Sequence, residues 1–297
     1  MAPKTKAHLA LLGTNIFFAI NYTAIKYIIN GGFIKPFGLN IIRIAVTSIL
    51  LWGLYFFSTK KTIIHKKDYG RLLLCSLTGI AINQLLFIKG LSLTYSIHAS
   101  LLMLTTPILI TIVAAWVLKE KITIFKLMGL VLGVTGALVL LLNKEKNGNP
   151  TDVFLGDIFI ILNAISYAAY FVLVKPLMKI YDPIDIIRIL FTIGFIVTLP
   201  FCYTEFREIH LEIYSVKEFI LLALIIFGGT FCAYLFNIYG IKILGASVAG
   251  AYIYLQLIFA TTIAIIFLGE ELALYKLLAG ALIFAGVYLA NKQKNNG

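Results

Sequence analysis

The feature that most constrains this chain is an apolar segment that occurs twice. Residues 90–136 and 240–286 align without gaps and share small and aliphatic residues along their length. They also share a glutamate, Glu120 and Glu270, and a lysine, Lys126 and Lys276, outside the apolar stretches. Apolar composition alone does not explain matched charged residues. A duplicated hydrophobic unit is typical of membrane transporters built from repeats.

The composition predicts an all-α integral membrane protein. The chain is 61% hydrophobic and 13% charged, more apolar surface than a soluble domain can bury. Its apolar runs are about 20 residues long, enough to cross the hydrocarbon core of a bilayer. Ten transmembrane helices are predicted at about 9–29, 39–57, 71–88, 97–118, 124–142, 153–174, 184–203, 217–238, 246–268 and 272–291.

The positive charge predicts the orientation of the chain. The net charge of +12 lies in short loops, so we interpret it as a topology signal and expect no nucleic-acid partner. Lysine and arginine predominate on the side of the termini, which places both termini in the cytoplasm. The first apolar run is too long for a cleaved signal peptide and is expected to be a true span.

Two inverted five-helix repeats follow from the odd number of spans in each half. We place them at 8–142 and 154–291, joined by a polar loop at 143–153. The loop of the first copy, 119–121, is basic and expected inside, whereas its equivalent, 269–271, is acidic and expected outside. This charge change fits repeats related by a two-fold axis in the membrane plane.

Polar and aromatic side chains recur along one face of several predicted spans. Tyrosine hydroxyl and amide groups need partners at that depth, which either a substrate cavity or hydrogen bonds between helices would supply. The stripes on spans 6, 8 and 9 favour a cavity. The residues predicted to bind substrate are Asn21, Tyr22, Asn83, Gln84, Tyr170, Tyr234, Asn237, Tyr252 and Gln256.

Four further residues are assigned structural or gating roles: Arg43, Pro107, Glu120 and Glu270. Arg43 lies in an Ile-Ile-Arg-Ile sequence that recurs around Arg188. For Arg43 a structural clamp and a substrate contact are equally consistent with the sequence. Pro107 either kinks span 4 at a moving gate or serves packing.

Three ionisable residues lie near predicted span ends. We interpret Lys26 as snorkelling to the headgroups, and His98, with no carboxylate at ligand spacing, as an interface residue and not a proton carrier. Asp157 also lies at a span end. No acidic residue occupies the middle of a span, which favours a facilitator or exchanger over ion-coupled transport.

The sequence predicts no metal, no cofactor and no enzymatic activity. Cys75, Cys202 and Cys232 are far apart within apolar runs, so they are expected to be packing residues. No GxxxxGK[ST] loop for ATP is present. The scattered histidines argue against an integral membrane enzyme acting on lipid.

With these residues in view, the chain resembles the drug/metabolite transporter superfamily, specifically ten-helix proteins with two EamA-like domains. The resemblance covers about 8–142 and 154–290. In the first repeat it rests on Phe18, Ala19, Ile20, Asn21, Lys26, Arg43, Pro107, Glu120, Gly129, Gly133 and Gly136, and in the second on Gly156, Asp157, Tyr167, Tyr170, Glu270 and Gly286.

Two departures from the family pattern stand out. Leu257 occupies a position where the second repeat usually has proline, so the sequence gives no reason for a kink in span 9 to match span 4. Phe18 and Tyr167 stand where tryptophan is common.

The resemblance implies a bacterial inner-membrane carrier that exports small metabolites, often amino acids, by alternating access. Spans 1–4 and 6–9 would enclose the pathway, with spans 5 and 10 bracing it. The tyrosine-rich lining suits amphipathic or aromatic amino acids. Efflux of lipophilic cations is the alternative, although such a carrier needs an intramembrane carboxylate. The small residues of spans 5 and 10 favour packing within one chain, with a homodimer as the alternative.

Overall fold

The described residues form ten apolar helices, which confirms the predicted all-α membrane fold. The computed structural model describes residues 2–57, 64–118, 124–143, 151–209, 212 and 214–291, so Glu120 lies outside the described residues. Within them the helices are α1 Pro3–Asn30, α2 Pro36–Phe57, α3 Lys66–Leu93, α4 Ser96–Val117, α5 Ile124–Leu142, α6 Val153–Met178, α7 Pro183–Arg207, α8 Val216–Leu244, α9 Val248–Leu268 and α10 Leu274–Asn291.

The helix pairing has the symmetry expected of two inverted repeats. Helix α2 packs against α7, α4 against α9 and α5 against α10. Helix α1 packs against α8 and α9, and its equivalent α6 packs against α3 and α4. Exchange of the two halves therefore maps the contacts onto themselves.

Helices α3 and α8 share a local irregularity. Each contains a π-helical segment, Leu77–Ala81 in α3 and Leu224–Cys232 in α8. A π segment adds a residue to the turn, widens the helix locally and is frequent at functional sites. Both segments contain a glycine, Gly79 and Gly229, that a side chain of the other repeat approaches closely.

Helices α4 and α9 are both interrupted, although only α4 contains a proline. In α4 the break lies at Leu104 and Thr105, just before Pro107, where backbone hydrogen bonds connect residues three apart. In α9 a single turn residue, Tyr252, separates the two helical pieces. The proline missing at Leu257 is therefore not required for a matching break.

The small residues of α5 and α10 bring these two helices into backbone contact within the chain. A Cβ atom added at Gly286 would lie 2.6 Å from the Gly129 carbonyl oxygen, and one at Gly136 would lie 2.8 Å from the Ala279 carbonyl oxygen. Glycine at these positions permits the close crossing. A homodimer through the same helices stays a prediction.

Candidate functional site

A central cavity lies between the two repeats, and about 690 Å³ of non-atom space, part of it open solvent, surrounds its lining. Helices α1–α4 and α6, α8 and α9 contribute to its wall. The lining residues are Leu11, Asn15, Phe18, Asn21, Tyr22, Arg43, Asn83, Gln84, Phe87, Met103, Asn163, Tyr167, Phe171, Tyr234, Asn237, Ala249, Ile253 and Gln256.

Most residues predicted to bind substrate converge on this cavity. Its lining includes Asn21, Tyr22, Asn83, Gln84, Tyr234, Asn237 and Gln256, and also Arg43. These side chains come from both repeats, so the helix packing brings together residues that are far apart in sequence.

Two predicted residues lie outside the lining. Tyr170 is buried behind the wall, with its ring over Gly79, where an added Cβ atom would lie 2.5 Å from the ring. Tyr252 is half-buried, and its hydroxyl lies 2.7 Å from Nδ1 of the exposed His8. Both residues belong to stripes whose other members reach the cavity. Helix periodicity therefore identified the helix face but not which side chains on that face line the cavity.

Paired hydrogen bonds join the helices around the cavity. The side-chain amide of Asn83 donates to the backbone oxygen of Asn163 at 3.3 Å, and the amide of Asn163 donates to the backbone oxygen of Asn83 at 2.7 Å. Gln256 donates to the Tyr22 hydroxyl at 3.1 Å. These bonds connect α3 to α6 and α9 to α1, and so hold the repeats together around the cavity.

Helix α8 contributes a second set of bonds. The Gln84 amide donates to the Tyr234 hydroxyl at 3.2 Å, and that hydroxyl donates to the Gly79 carbonyl at 3.3 Å. Asn237 donates to the Tyr167 hydroxyl at 2.5 Å. Gly79 belongs to the π segment of α3.

Four amide oxygens in the lining are buried and have no hydrogen-bond partner: Asn21 Oδ1, Gln84 Oε1, Asn163 Oδ1 and Asn237 Oδ1. For Asn21 and Asn163 the amide orientation follows from the partner, because each nitrogen faces a backbone carbonyl that can only accept. Buried acceptors without partners are costly and uncommon. The cavity thus offers hydrogen-bond acceptors to a ligand.

Arg43 is the only charged side chain among the described residues that line the cavity. Its Nε donates at 3.0 Å to the hydroxyl of Thr230, which donates to the Ile225 carbonyl of the π segment in α8. The Nη1 atom is buried and unpartnered. Arg43 thus contacts α8 through Nε, and its Nη1 has no partner among the described residues.

One end of the bundle, where α1 stops, is closed by a buried polar cluster; we call it the far end. His98 Nδ1 lies 2.9 Å from Asp157 Oδ2, and His98 Nε2 lies 3.1 Å from the Tyr275 hydroxyl. Thr94 donates to the other Asp157 oxygen. His98 therefore has a carboxylate partner from α6, which its sequence neighbours did not indicate.

Two more ionisable residues stabilise the far end. Lys26 does not reach the headgroups as expected: it is 4% exposed, and its ammonium donates to the carbonyl of Thr94. Glu270 accepts from the backbone nitrogens of Ser96 and Ile97, both at 2.8 Å, and so caps the start of α4. These contacts tie α1, α3, α4, α6 and the loop before α10 together.

The cavity extends instead toward the other end of the bundle, where α1 begins; we call it the near end. Leu11 of α1 and Ala249 at the start of α9 belong to the lining. In the gapless alignment of the repeated segment Val248 occupies the position of His98, yet it is 38% exposed whereas His98 is fully buried. His98 and Val248 thus occupy matching positions with different burial.

The sequence reasoning left several lining residues out of the predicted site. Asn163 and Tyr167 belong to the same stripe of α6 as Tyr170, and Asn15 shares a face with Tyr22. Helical spacing was the signal that could have included them. Phe18, Phe87 and Phe171 also line the cavity. No sequence signal indicated this, because phenylalanine is equally common at lipid-facing positions.

Comparison with known families gives a match to the EamA-like transporter family over residues 5–142 and 154–292. Similar proteins include an uncharacterized transporter of Archaeoglobus fulgidus, 22% identical over 97% of this chain and 100% of its own length. A WAT1-related protein of Arabidopsis thaliana is 28% identical over 96% of this chain and 85% of its own length.

The fold is also found in a solved crystal structure. The superposition has a TM-score of 0.63 at 15% sequence identity and covers 95% of this chain and 96% of the other. At this identity the likeness concerns the fold alone.

Proposed function

The chain belongs to the EamA-like transporter family, and from this premise we propose that it is a secondary carrier that exports a small metabolite, an amino acid or a related compound, by alternating access. The observation that carries the proposal is the cavity between the repeats, closed at the far end by the cluster around His98 and Asp157 and extending toward the near end. A carrier must keep one end closed while the other admits substrate.

The lining supports a substrate that is both polar and apolar. Unpartnered amide oxygens provide hydrogen-bond acceptors, and the rings of Phe18, Phe87 and Phe171 provide apolar surface. An amino acid with an aliphatic or aromatic side chain matches this combination.

Repeat symmetry supplies the proposed mechanism. In an inverted-repeat carrier the two halves exchange conformations, so that the closed end opens as the open end closes. In the exchanged state the region of Val248 would be packed as His98 is here, and His98 with Asp157 would face water. The substrate would then leave at the far end.

We assign the near end to the cytoplasm and the protein to the cell inner membrane, with both termini cytoplasmic. The excess of lysine and arginine in loops at the near end supports this orientation. The packed cluster at the far end leaves the near end for loading of substrate from the cytoplasm in this proposal. The single cationic lining residue and the lack of a carboxylate among the lining residues that the structure describes disfavour lipophilic cations as substrates.

The test is uptake of labelled amino acids into proteoliposomes that contain the purified protein, with and without a proton gradient. Ala249→Phe, which fills the cavity, should reduce uptake at least tenfold because the bulky ring occupies the space of the substrate. Ala251→Phe, at an exposed position on the same helix, is the matched control and should transport normally. The absence of uptake of every amino acid by the wild type, or equal uptake by both variants, would contradict the proposal.

A further inference from the structure

Arg43 is a buried cation at the cavity without an acidic partner. It is 3% exposed, and within the described part of the chain its side chain makes no ion pair. Its one hydrogen bond, from Nε to Thr230, leaves Nη1 unsatisfied. Burial of a charge without a partner at this depth costs desolvation free energy. A ligand that brings an anionic group into the cavity would remove that cost.

A second arginine with this sequence context, in the other repeat, has a different environment. Arg188 follows the same Ile-Ile sequence, but it lies 3.8 Å from Asp185, and its guanidinium covers the rings of Trp52 at 4.3 Å and Tyr55 at 3.7 Å. It does not belong to the cavity lining. The two arginines therefore share a sequence context and burial, and differ in whether the protein itself supplies their partners.

Four other polar groups of the lining have the opposite character to Arg43. Asn21, Gln84, Asn163 and Asn237 come from α1, α3, α6 and α8, and each presents an unpartnered oxygen that can only accept. A cationic donor on α2 and neutral acceptors on the surrounding helices fit a molecule that carries both a carboxylate and an ammonium group.

On the premise that this cavity is the transport site, we propose that Arg43 binds the α-carboxylate of an amino-acid substrate and that the amide oxygens receive its ammonium group. Guanidinium and carboxylate form short, charge-assisted hydrogen bonds, and the buried Nη1 offers the free donor for them. The site then selects for the carboxylate: an amino acid binds, whereas its carboxamide, which carries only the positive charge, does not.

The first test compares acids with amides in proteoliposomes. Labelled leucine and phenylalanine are the transported probes, and unlabelled leucine, leucinamide, phenylalanine and phenylalaninamide are the competitors. In the wild type and in Arg188→Gln we expect each amide to compete at least tenfold more weakly than its acid. In Arg43→Gln we expect uptake to fall at least tenfold and the preference for acid over amide to disappear.

Thermal unfolding separates a binding role from a structural one. Without ligand, Arg43→Gln should unfold at the same or a higher temperature than the wild type, because an unpaired buried charge has been removed. Added leucine or phenylalanine should raise the unfolding temperature of the wild type and of Arg188→Gln, since a ligand stabilises the state that binds it, but not that of Arg43→Gln.

The outcomes separate this inference from the proposed function. Wild-type uptake of amino acids with an unchanged acid preference in Arg43→Gln overturns the inference and leaves the function intact. An Arg43→Gln protein that unfolds at lower temperature and has lost acid and amide binding alike indicates a clamp through Thr230, which also overturns it.

If the wild type takes up no amino acid, the proposed function fails and lactate and succinate become the probes for the carboxylate site. Stabilisation by these acids that is lost in Arg43→Gln supports a carboxylate site for another class of metabolite. No stabilisation by any of the carboxylates overturns the inference together with the function.

Discussion

Removal of the Asp157 carboxylate should open the far end of the bundle. In this structure its two oxygens accept from His98 and Thr94, and both Asp157 and His98 are fully buried. Hydrogen bonds to a charged group contribute about 1.5–3 kcal/mol each. These bonds stabilise only the closed arrangement, because in an open one water can replace them.

The magnitude follows from the two lost bonds. At about 1.5 kcal/mol each, Asp157→Ala shifts the balance between closed and open far end by about 3 kcal/mol, a factor of about 150. Thr94→Val removes one of the two bonds and should shift the balance by about the square root of that factor.

The assay measures the accessibility of a cysteine placed in the closed layer. Ser96 is fully buried beside Glu270, so Ser96→Cys, with Cys75, Cys202 and Cys232 replaced by alanine, reports opening to a membrane-impermeant maleimide. Labelling should be at least tenfold faster with Asp157→Ala than without it.

The control removes a carboxylate from the surface of the same end. Glu208 pairs with Lys35, raising the pKa of the Lys35 ammonium through their hydrogen bond, but both side chains are largely exposed. Exposed pairs contribute between zero and about 1 kcal/mol. Glu208→Ala should leave labelling nearly unchanged. Equal labelling rates for Asp157→Ala and Glu208→Ala would show that the Asp157 bonds do not hold the far end closed.

Two glycine substitutions test the close contacts of the fold. Gly229→Ala places a Cβ atom 2.3 Å from Asn21 and must displace that side chain. Amino-acid uptake should therefore fall about fivefold, the effect of one lost hydrogen bond of about 1 kcal/mol. The control Gly53→Ala, which has open space around the added Cβ atom, should transport normally. Gly286→Ala brings a Cβ atom against the backbone of α5 and should lower the free energy of unfolding by about 1–3 kcal/mol, measured in a thermal or denaturant titration. Gly280→Ala meets only a movable leucine side chain, so its free energy of unfolding should fall less. Equal stability of the two variants would contradict the close packing of α5 and α10.

The architecture could be predicted because few structures satisfy its sequence. Apolar runs of spanning length must be helical in a bilayer, where every backbone group needs an internal partner. An odd number of spans per repeat then forces inversion. The break in α9 at Tyr252 was not predictable in this way, because it forms without the proline that marks the break in α4.

For the cavity lining, the sequence predicted which helix faces are polar but not which individual side chains reach the cavity. The stripe of α6 indicated a polar surface, yet Tyr167 lines the cavity and Tyr170 does not, because the π segment of α3 places Gly79 beneath the Tyr170 ring. Helical spacing gives the direction of a side chain from its own axis. What occupies that direction depends on the neighbouring helix.

The partners of the ionisable residues could not be predicted from the sequence either. Lys26 and His98 were interpreted from their own helices as a snorkelling lysine and an interface histidine, but their partners, the Thr94 carbonyl and Asp157, come from elsewhere in the chain.

Hydropathy, length and periodicity along one chain are sufficient to predict the ten helices, their duplication and the set of helices whose polar faces turn inward. The pairing of buried polar groups, and the lack of a partner at Arg43 Nη1, follow from the tertiary structure alone. Hydrogen bonding between distant residues depends on helix crossings and local π segments, and these are set by the packing of all ten helices together.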